Sequence, residues 1–420
     1  MGGAVTPILA GALRHAARRT GTPLQLTDLP RLHADAATVR ASFPDPWLRL
    51  YALKANGLPA LTRSLPPLGF GATAVSRGEL ALAARAGFDP GRTALEGIGK
   101  TDADLRTAVA AARGGTPLLW VSLESADEAA VLARLAVRAG VRLDVLVRIN
   151  PSVAPETHGG LAVGAAISKF GVLPDELPEV VAAGGGANGP LRWRGLHLHV
   201  GSQLGAVDAW RTAVRGALRL LALQRGGLPE MDTLDVGSGF PVAYGPESAV
   251  PPLARFAEEL GAELEAIPAD VRPTRLAIEP GRAVVASSGW LVGRVLHVRE
   301  REPRLVVLDA GMTELIRPAL YGAEHPMVAL TSLGHAVDPD RTAGLPLVRV
   351  DGPVCESTDR LGVAPLPPLR RGDLVAIGVT GAYGTAMAST YNGRPRPPEL
   401  AWDGRRLTLL RRRGTLATLP

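Results

Sequence analysis

Only three lysines, Lys54, Lys100 and Lys169, stand among the 46 basic residues of this chain. In so arginine-biased a sequence, a lysine inside an apolar run is conspicuous, and Lys54 sits in LRLYALKA (48–55). Partial desolvation there would disfavour the ammonium, and a neutral amine attacks aldehydes. A lysine snorkelling from a strand end is the plain alternative. Other runs end in equally suggestive groups. RGLHLHVG (194–201) closes on His197, His199 and Gly201 with Ser202 next, TLDVGSG (233–239) on Gly237, Ser238 and Gly239, and RLAIEPGR (275–282) on Glu279, Gly281 and Arg282. Glycines let backbone N–H groups approach phosphate oxygens closely, and Arg282 or Ser202 would add a direct contact. Glu279 ends a hydrophobic run, a poor place for a surface carboxylate. Beside a pyridine nitrogen it would favour the protonated ring, a better electron sink for a carbanion; a structural ion pair with arginine is the alternative. His199 is expected to stack on such a ring, with His197 on the same strand face as a satisfied interior residue. The HxH spacing suits a metal, but no acidic or thiolate partner is expected on a nearby strand end, so no metal is assigned.

These groups need a frame that gathers strand ends. Between residues 30 and 285, amphipathic helical stretches alternate with short β-branched or leucine-rich runs, as expected of parallel strands buried on both faces. Eight such runs occur: 48–55, 71–76, 93–97, 118–125, 143–150, 194–201, 233–239 and 275–282. Eight closes a (β/α)8 barrel, whose catalytic groups lie at the C-terminal strand ends. Helices are expected at 76–87, 101–114, 125–140 and 206–227, several opening on Ser, Thr or Asp and closing at Gly. After 285 the pattern turns to strands (290–300, 304–311, 345–352, 373–381), marking a C-terminal all-β domain. Residues 1–27 are expected to pair with that domain through TPLQLT (22–27), the barrel to occupy 28–287, and the β domain 288–420. Residues 184–190 (GGGANGP) read as a flexible surface loop.

With 46% hydrophobic and 20% charged residues over 420 positions, the chain reads as globular. No apolar run approaches the roughly 20 residues that span a bilayer, and the arginines of the N-terminus follow its apolar stretch, against signal-peptide order. No membrane association and a cytoplasmic location are expected. The +6 net charge comes without a dense basic block or interleaved aromatics, which argues against nucleic acid. Cys355, the single cysteine, excludes an intrachain disulfide and a cysteine metal cluster. Flanked by Pro353 and a polar run, it reads as a loop thiol rather than a core residue.

Taken in order, YALKAN, SRGEL, ISKFGV (167–172), GLHLHVGSQL (195–204), LDVGSGF (234–240), IEPGR (278–282), DAGMTELIRPALY (309–321), GPVCES (352–357) and GAYGTAMASTYNGRPRP (381–397) resemble the fold-type III pyridoxal phosphate (PLP) decarboxylases, and within them the diaminopimelate decarboxylases. The resemblance covers nearly the whole chain. It implies a TIM barrel of the alanine racemase type followed by the β domain, with PLP as cofactor. Lys54 would hold the cofactor as a Schiff base, His199 would stack on it, and Glu279 would face its ring nitrogen. Ser202, Gly237, Gly239, Gly281 and Arg282 would surround the phosphate and nearby substrate. Arg282, Arg317 and Tyr321 would bind a substrate carboxylate, Glu356 the distal amino group, and Tyr383 both cofactor and substrate. Cys355 would donate a proton in the active site of a neighbouring subunit, which implies a homodimer with shared active sites. The activity implied is decarboxylation of meso-diaminopimelate to L-lysine and CO2. Thr73 stands where the family usually has an acidic residue, Ser238 where it has a third glycine, and Ile98 where it has asparagine. These departures fit a paralogous decarboxylase of another carboxylate-bearing or carrier-bound amino acid. A non-catalytic binding protein of decarboxylase shape is the alternative from a different class.

Overall fold

The structure, a computed structural model, describes residues 5–153, 164, 168–245, 248–339 and 341–419. Its internal contacts divide the chain into two units, one of Ala36–Pro241 with Val250–Gly281, the other of Met1–Asp35, Val242–Ala249 and Arg282–Pro420. Ile167 of the ISKFGV segment lies outside the described residues.

Strand β1 (Leu24–Asp28) precedes the barrel. Eight strands, β2 (Leu48–Ala52), β3 (Gly71–Ala74), β4 (Thr93–Leu95), β5 (Trp120–Leu123), β6 (Leu143–Ile149), β7 (Leu191–Leu198), β8 (Thr233–Asp235) and β9 (Arg275–Ile278), form the closed barrel, each falling on one of the eight apolar runs, although β7 begins three residues before its run at 194. Every neighbouring pair is parallel, and β9 closes on β2 through Leu48↔Ala277 and Arg49↔Ile278. A barrel interior filled by side chains explains the apolar runs: Leu50, Ala94, Trp120, Leu146 and Ala277 pack there with little or no exposure. The expected helices are Arg77–Ala86, Asp102–Arg113, Ala126–Ala139 and Asp208–Gln224. Local chemistry sets their ends. Ser76 and Ser125 accept from the N–H groups of Glu79 and Glu128 at 3.2 and 3.1 Å, and Thr101 forms a reciprocal capping box with Asp104. The GGGANGP stretch is more ordered than a flexible loop: Trp193 Nε1 donates to Gly186 O at 3.0 Å, holding it as a compact turn against β7.

In the second unit, β10 (Gly289–Arg299) is the long central strand. It pairs with β1, β11 (Arg304–Leu308) and β17 (Leu374–Ile377), all antiparallel. Further along come β12 (Met327–Ala329), β13 (Thr331–Ser332), β14 (His335–Ala336), β15 (Leu347–Asp351), β16 (Arg360–Pro365), β18 (Glu399–Trp402) and β19 (Leu407–Arg411). Strand β1 is enclosed between β10 and β18, parallel to the latter. The helix Pro7–Thr20, which no periodicity argument had anticipated, opens on a Thr6 cap and lays Leu9, Ala10, Leu13, Ala16 and Ala17 on the same core as Leu24, Leu26 and Trp290. Trp290 is 2% exposed at the middle of that core. Replacing it with Ala should destabilise the sheet unit by about 3–5 kcal/mol, measured as a shift of the urea unfolding midpoint.

Candidate active site

The C-terminal ends of the barrel strands place most of the expected cofactor groups. Just beyond β7, the half-buried His199 accepts through Nδ1 from the backbone N–H of Ser238 at 3.2 Å, tying the histidine to the glycine turn after β8. That turn requires its glycines. Gly237 has φ +61°, and a Cβ there would stand 2.3 Å from Leu198 O; Gly239 has φ +114°, and its Cβ would stand 2.7 Å from Gly201 O. Gly281 packs directly on the first strand's end, its absent Cβ 3.0 Å from that of Ala55. Ser202 is half-buried in the loop after β7. Burial, and then the charge of Lys54, push His199 well below the usual imidazole range, so its ring is neutral.

Lys54 departs from its expected setting. Strand β2 ends at Ala52, and Lys54 lies on a single 3-10 turn, Leu53–Ala55, with its side chain exposed. The apolar run therefore carries past the strand's end into the turn that bears Lys54. The other two lysines are structurally engaged. Lys100 is buried against Glu128 at 3.1 Å, and Lys169 Nζ lies 5.3 Å from the centre of the Phe170 ring.

Glu279 is 4% exposed and belongs to a cluster that sequence reasoning missed. Its Oε1 accepts from Thr73 Oγ1 at 3.0 Å, and its Oε2 is 3.6 Å from His197 Nε2. Glu96, at the end of β4, places its Oε2 3.6 Å from the same nitrogen and its Oε1 3.2 Å from Trp120 Nε1. The expectation that no acidic partner approaches the HxH pair is thus corrected: Glu96, His197 and Glu279 put three ligand atoms within 4.8 Å of one another. Nor is His197 fully satisfied, since Nδ1 meets Ser122 Oγ at 2.9 Å while Nε2 has no hydrogen-bond partner. Burial alone would raise Glu279, but the hydrogen bond from Glu96, the contacts of His197 and the charge of Lys54 outweigh it and hold the carboxyl well below its usual range. Glu96 obeys the same strand-end rule that singled out Glu279, and that rule, applied to TALEG, would have found it.

A second cluster lies wholly within the sheet unit. Arg282 and Arg317, 5% and 3% exposed, both donate to the hydroxyl of Tyr244, Arg282 Nη1 at 2.6 Å. Arg317 also lies over the Tyr244 ring, 5.2 Å from its centre, and Arg282 over the ring of Tyr383 at 5.0 Å. Tyr383 holds φ +57°, a left-handed backbone uncommon for a side chain this large and a mark of imposed position. Tyr321 ends the short helix Arg317–Tyr321 and is half-buried. Tyr244 and His325, stacked edge-on at 5.0 Å, escaped the sequence reading because neither sits in a periodic run. Cys355 and Glu356 are brought together elsewhere, both exposed on the loop after β15. Cys355 Sγ accepts from Asn392 Nδ2 at 3.4 Å, and Glu356 accepts from Tyr391 OH at 2.6 Å.

A barrel whose strand ends carry a lysine, a neutral histidine, a glycine cradle and a buried carboxylate defines a class of cofactor-binding enzyme, and comparison with known proteins identifies it. Residues 29–286 match the family profile of the pyridoxal-dependent decarboxylase, pyridoxal binding domain. The chain belongs to the pyridoxal-dependent decarboxylases. It is similar to the diaminopimelate decarboxylase of Deinococcus radiodurans, 38% identical over 96% of each chain. Among solved structures it is similar to the Helicobacter pylori diaminopimelate decarboxylase complexed with L-lysine (30% identity, TM-score 0.86, 96% of this chain and 97% of that one) and to that of M. jannaschii with L-lysine (27%, TM-score 0.86, 96% and 92%). The residues fit pyridoxal phosphate: Gly237 and Gly239 hold a left-handed turn packed so closely on Leu198 O and Gly201 O that no side chain could replace them, leaving bare backbone for a phosphate, and Lys54 and Glu279 supply the amine and the anion.

The chemistry of His325 gives a pH test. It is buried, its Nδ1 meets Gly378 O at 3.0 Å, and burial, reinforced by the charges of Arg317 and Arg282, lowers its pKa to about 3. An unfolded histidine binds a proton below about 6.5 that the folded one refuses. Its contribution is present above that value and is lost as pH falls toward 3, at up to about 1.4 kcal/mol per pH unit. Urea unfolding of the apoprotein between pH 7 and 4 should show a shallower acid loss in His325→Gln than in the wild type.

Proposed function

We propose that this enzyme decarboxylates meso-diaminopimelate, releasing CO2 and L-lysine. It uses pyridoxal phosphate, which when bound supplies an electron sink for the pair left by the departing carboxylate. The observation that carries the substrate reading is the convergence of the buried Arg282 and Arg317 on one phenol oxygen, a pairing suited to a carboxylate beyond the one that is lost.

In this reading Lys54 Nζ would hold the cofactor through its aldehyde. The backbone at Gly237, Gly239 and Gly281, with Ser202 and Arg282, holds the phosphate. Neutral His199 would lie against the ring without adding a competing charge, and Glu279 would face the ring nitrogen as an anion. Arg282, Arg317 and Tyr321 take the retained carboxylate, Tyr383 positions cofactor and substrate, and Glu356 receives the distal ammonium. Cys355 Sγ supplies the proton that replaces CO2 on the α-carbon and recovers one from solvent. The exposure of Cys355 and Glu356 on one loop supports their serving the site of a second copy in a homodimer. No helix among the described residues is long and apolar enough to cross a membrane.

The test is CO2 release from the PLP-loaded protein presented with diaminopimelate isomers, lysine, ornithine, arginine and glutamate. Turnover of the meso isomer above the others is expected. Turnover of another amino acid with none of diaminopimelate would overturn the substrate and leave the class. Cys355→Ala should keep the visible absorbance of the bound cofactor while kcat falls about a hundredfold. An unchanged kcat would remove the thiol from the chemistry.

A further inference from the structure

Three carboxylates, Glu96, Asp235 and Glu279, are 2%, 0% and 4% exposed at the ends of β4, β8 and β9. Ionised together they would repel strongly in a medium that screens poorly. The groups facing them supply little compensation. Thr73, Trp120 and Ser122, from β3 and β5, are neutral; Asp235 Oδ1 accepts the Gly237 N–H at 2.8 Å. His197, from β7, is held neutral by burial, and Arg148 is engaged with Glu124 at 2.9 Å. Lys54 is exposed. Protons must therefore reside on the carboxyls. In the tautomer whose Nδ1 accepts from Ser122 at 2.9 Å, Nε2 carries its hydrogen toward the gap between Glu96 and Glu279, 3.6 Å from each.

We propose that Glu96 is a positioning residue for the decarboxylation: as a neutral carboxylic acid it donates its proton in a hydrogen bond to Glu279, fixing the charge and direction of the carboxylate that meets the cofactor ring nitrogen. The placement of the pair supports this: ligand oxygens of Glu96 and Glu279 lie within 4.8 Å of each other, both 3.6 Å from His197 Nε2, and burial beside Glu279 pushes Glu96 well up. Trp120 Nε1 occupies Glu96 Oε1, leaving Oε2, the oxygen turned toward the cluster, to carry the proton. The same three side chains could hold a divalent cation only if Glu96 were ionised, which makes the two states mutually exclusive.

The inference rests on the proposed cofactor role of Glu279, and its test separates the two. In Glu96→Gln the amide keeps a donor toward Glu279; in Glu96→Ala the donor is gone. The PLP-loaded Gln variant should retain kcat within about threefold, whereas Ala should lose about ten- to a hundredfold with KM little changed, and the pH dependence of the cofactor's visible spectrum should shift in Ala alone. Infrared spectra of the full-length apoprotein should contain the carbonyl stretch of buried protonated carboxyls. One component should vanish in Glu96→Gln, while that of Asp235 persists. Equal losses of kcat in Gln and Ala, an infrared band unaltered by Glu96→Gln, or a stoichiometric divalent metal in the purified protein would overturn the proposal. The infrared readout needs neither cofactor nor substrate, so absence of any CO2 release would count against the function and leave the shared proton standing.

Discussion

Closure of the barrel between its last and first strands is the constraint on which the cofactor groups depend. The β9–β2 pairing, Leu48↔Ala277 and Arg49↔Ile278, continues past both strands as Ala52 N–H donates to Pro280 O at 3.3 Å. That continuation sets the turn bearing Lys54 against Gly281, closely enough that an added Cβ there would press on Ala52 and Ala55 at 3.2 and 3.0 Å. Residues 225 positions apart in sequence, Lys54 and Glu279, thereby become electrostatic neighbours, and the charge of Lys54 contributes to keeping Glu279 ionised. A parallel barrel makes this possible since all its strands end on one face.

The strands were legible because parallel strands buried on both sides must be apolar throughout; seven of the eight runs contain one, and the run 194–201 overlaps β7, which begins earlier at Leu191. Their ends were less so. LRLYALKA reads as one strand, yet it breaks after Ala52, since hydrophobicity does not distinguish a buried strand residue from the buried Leu53 and Ala55 of the following turn. The helix Pro7–Thr20 was hidden by a composition of small residues and arginines, although its Thr6 cap and Gly21 terminus were on view. Short strands such as β12, β13 and β14 draw their stability from neighbours and leave almost no local pattern.

For the candidate site, residue types announced themselves and partnerships did not. Tyr244 lies between two barrel elements in sequence yet belongs by contact to the other unit, where two arginines share its hydroxyl. No spacing rule reports such a crossing. Thr73, read as a departure from the family's acidic residue, still serves Glu279 through its hydroxyl, and on the adjacent strand Glu96 brings a carboxyl to the same place. The departure at 73 thus leaves the surroundings of Glu279 acidic rather than neutral.

Such surroundings are costly. Each buried carboxyl forfeits hydration, and replacing groups of this kind with well-packed apolar side chains generally leaves a protein no less stable. Stability therefore does not account for Glu96, Asp235 and Glu279 sharing one barrel interior with a half-satisfied His197. A carboxylate that must stay ionised away from water needs donors that are themselves uncharged, since a full cation would neutralise the field it exerts. Thr73 meets that requirement through its hydroxyl, and a protonated Glu96 meets it too, whereas a paired arginine would not. Glu279 thus remains an anion near the charge of Lys54 while its hydrogen-bond donor Thr73 brings no charge of its own, and its field stays directed at the group it serves.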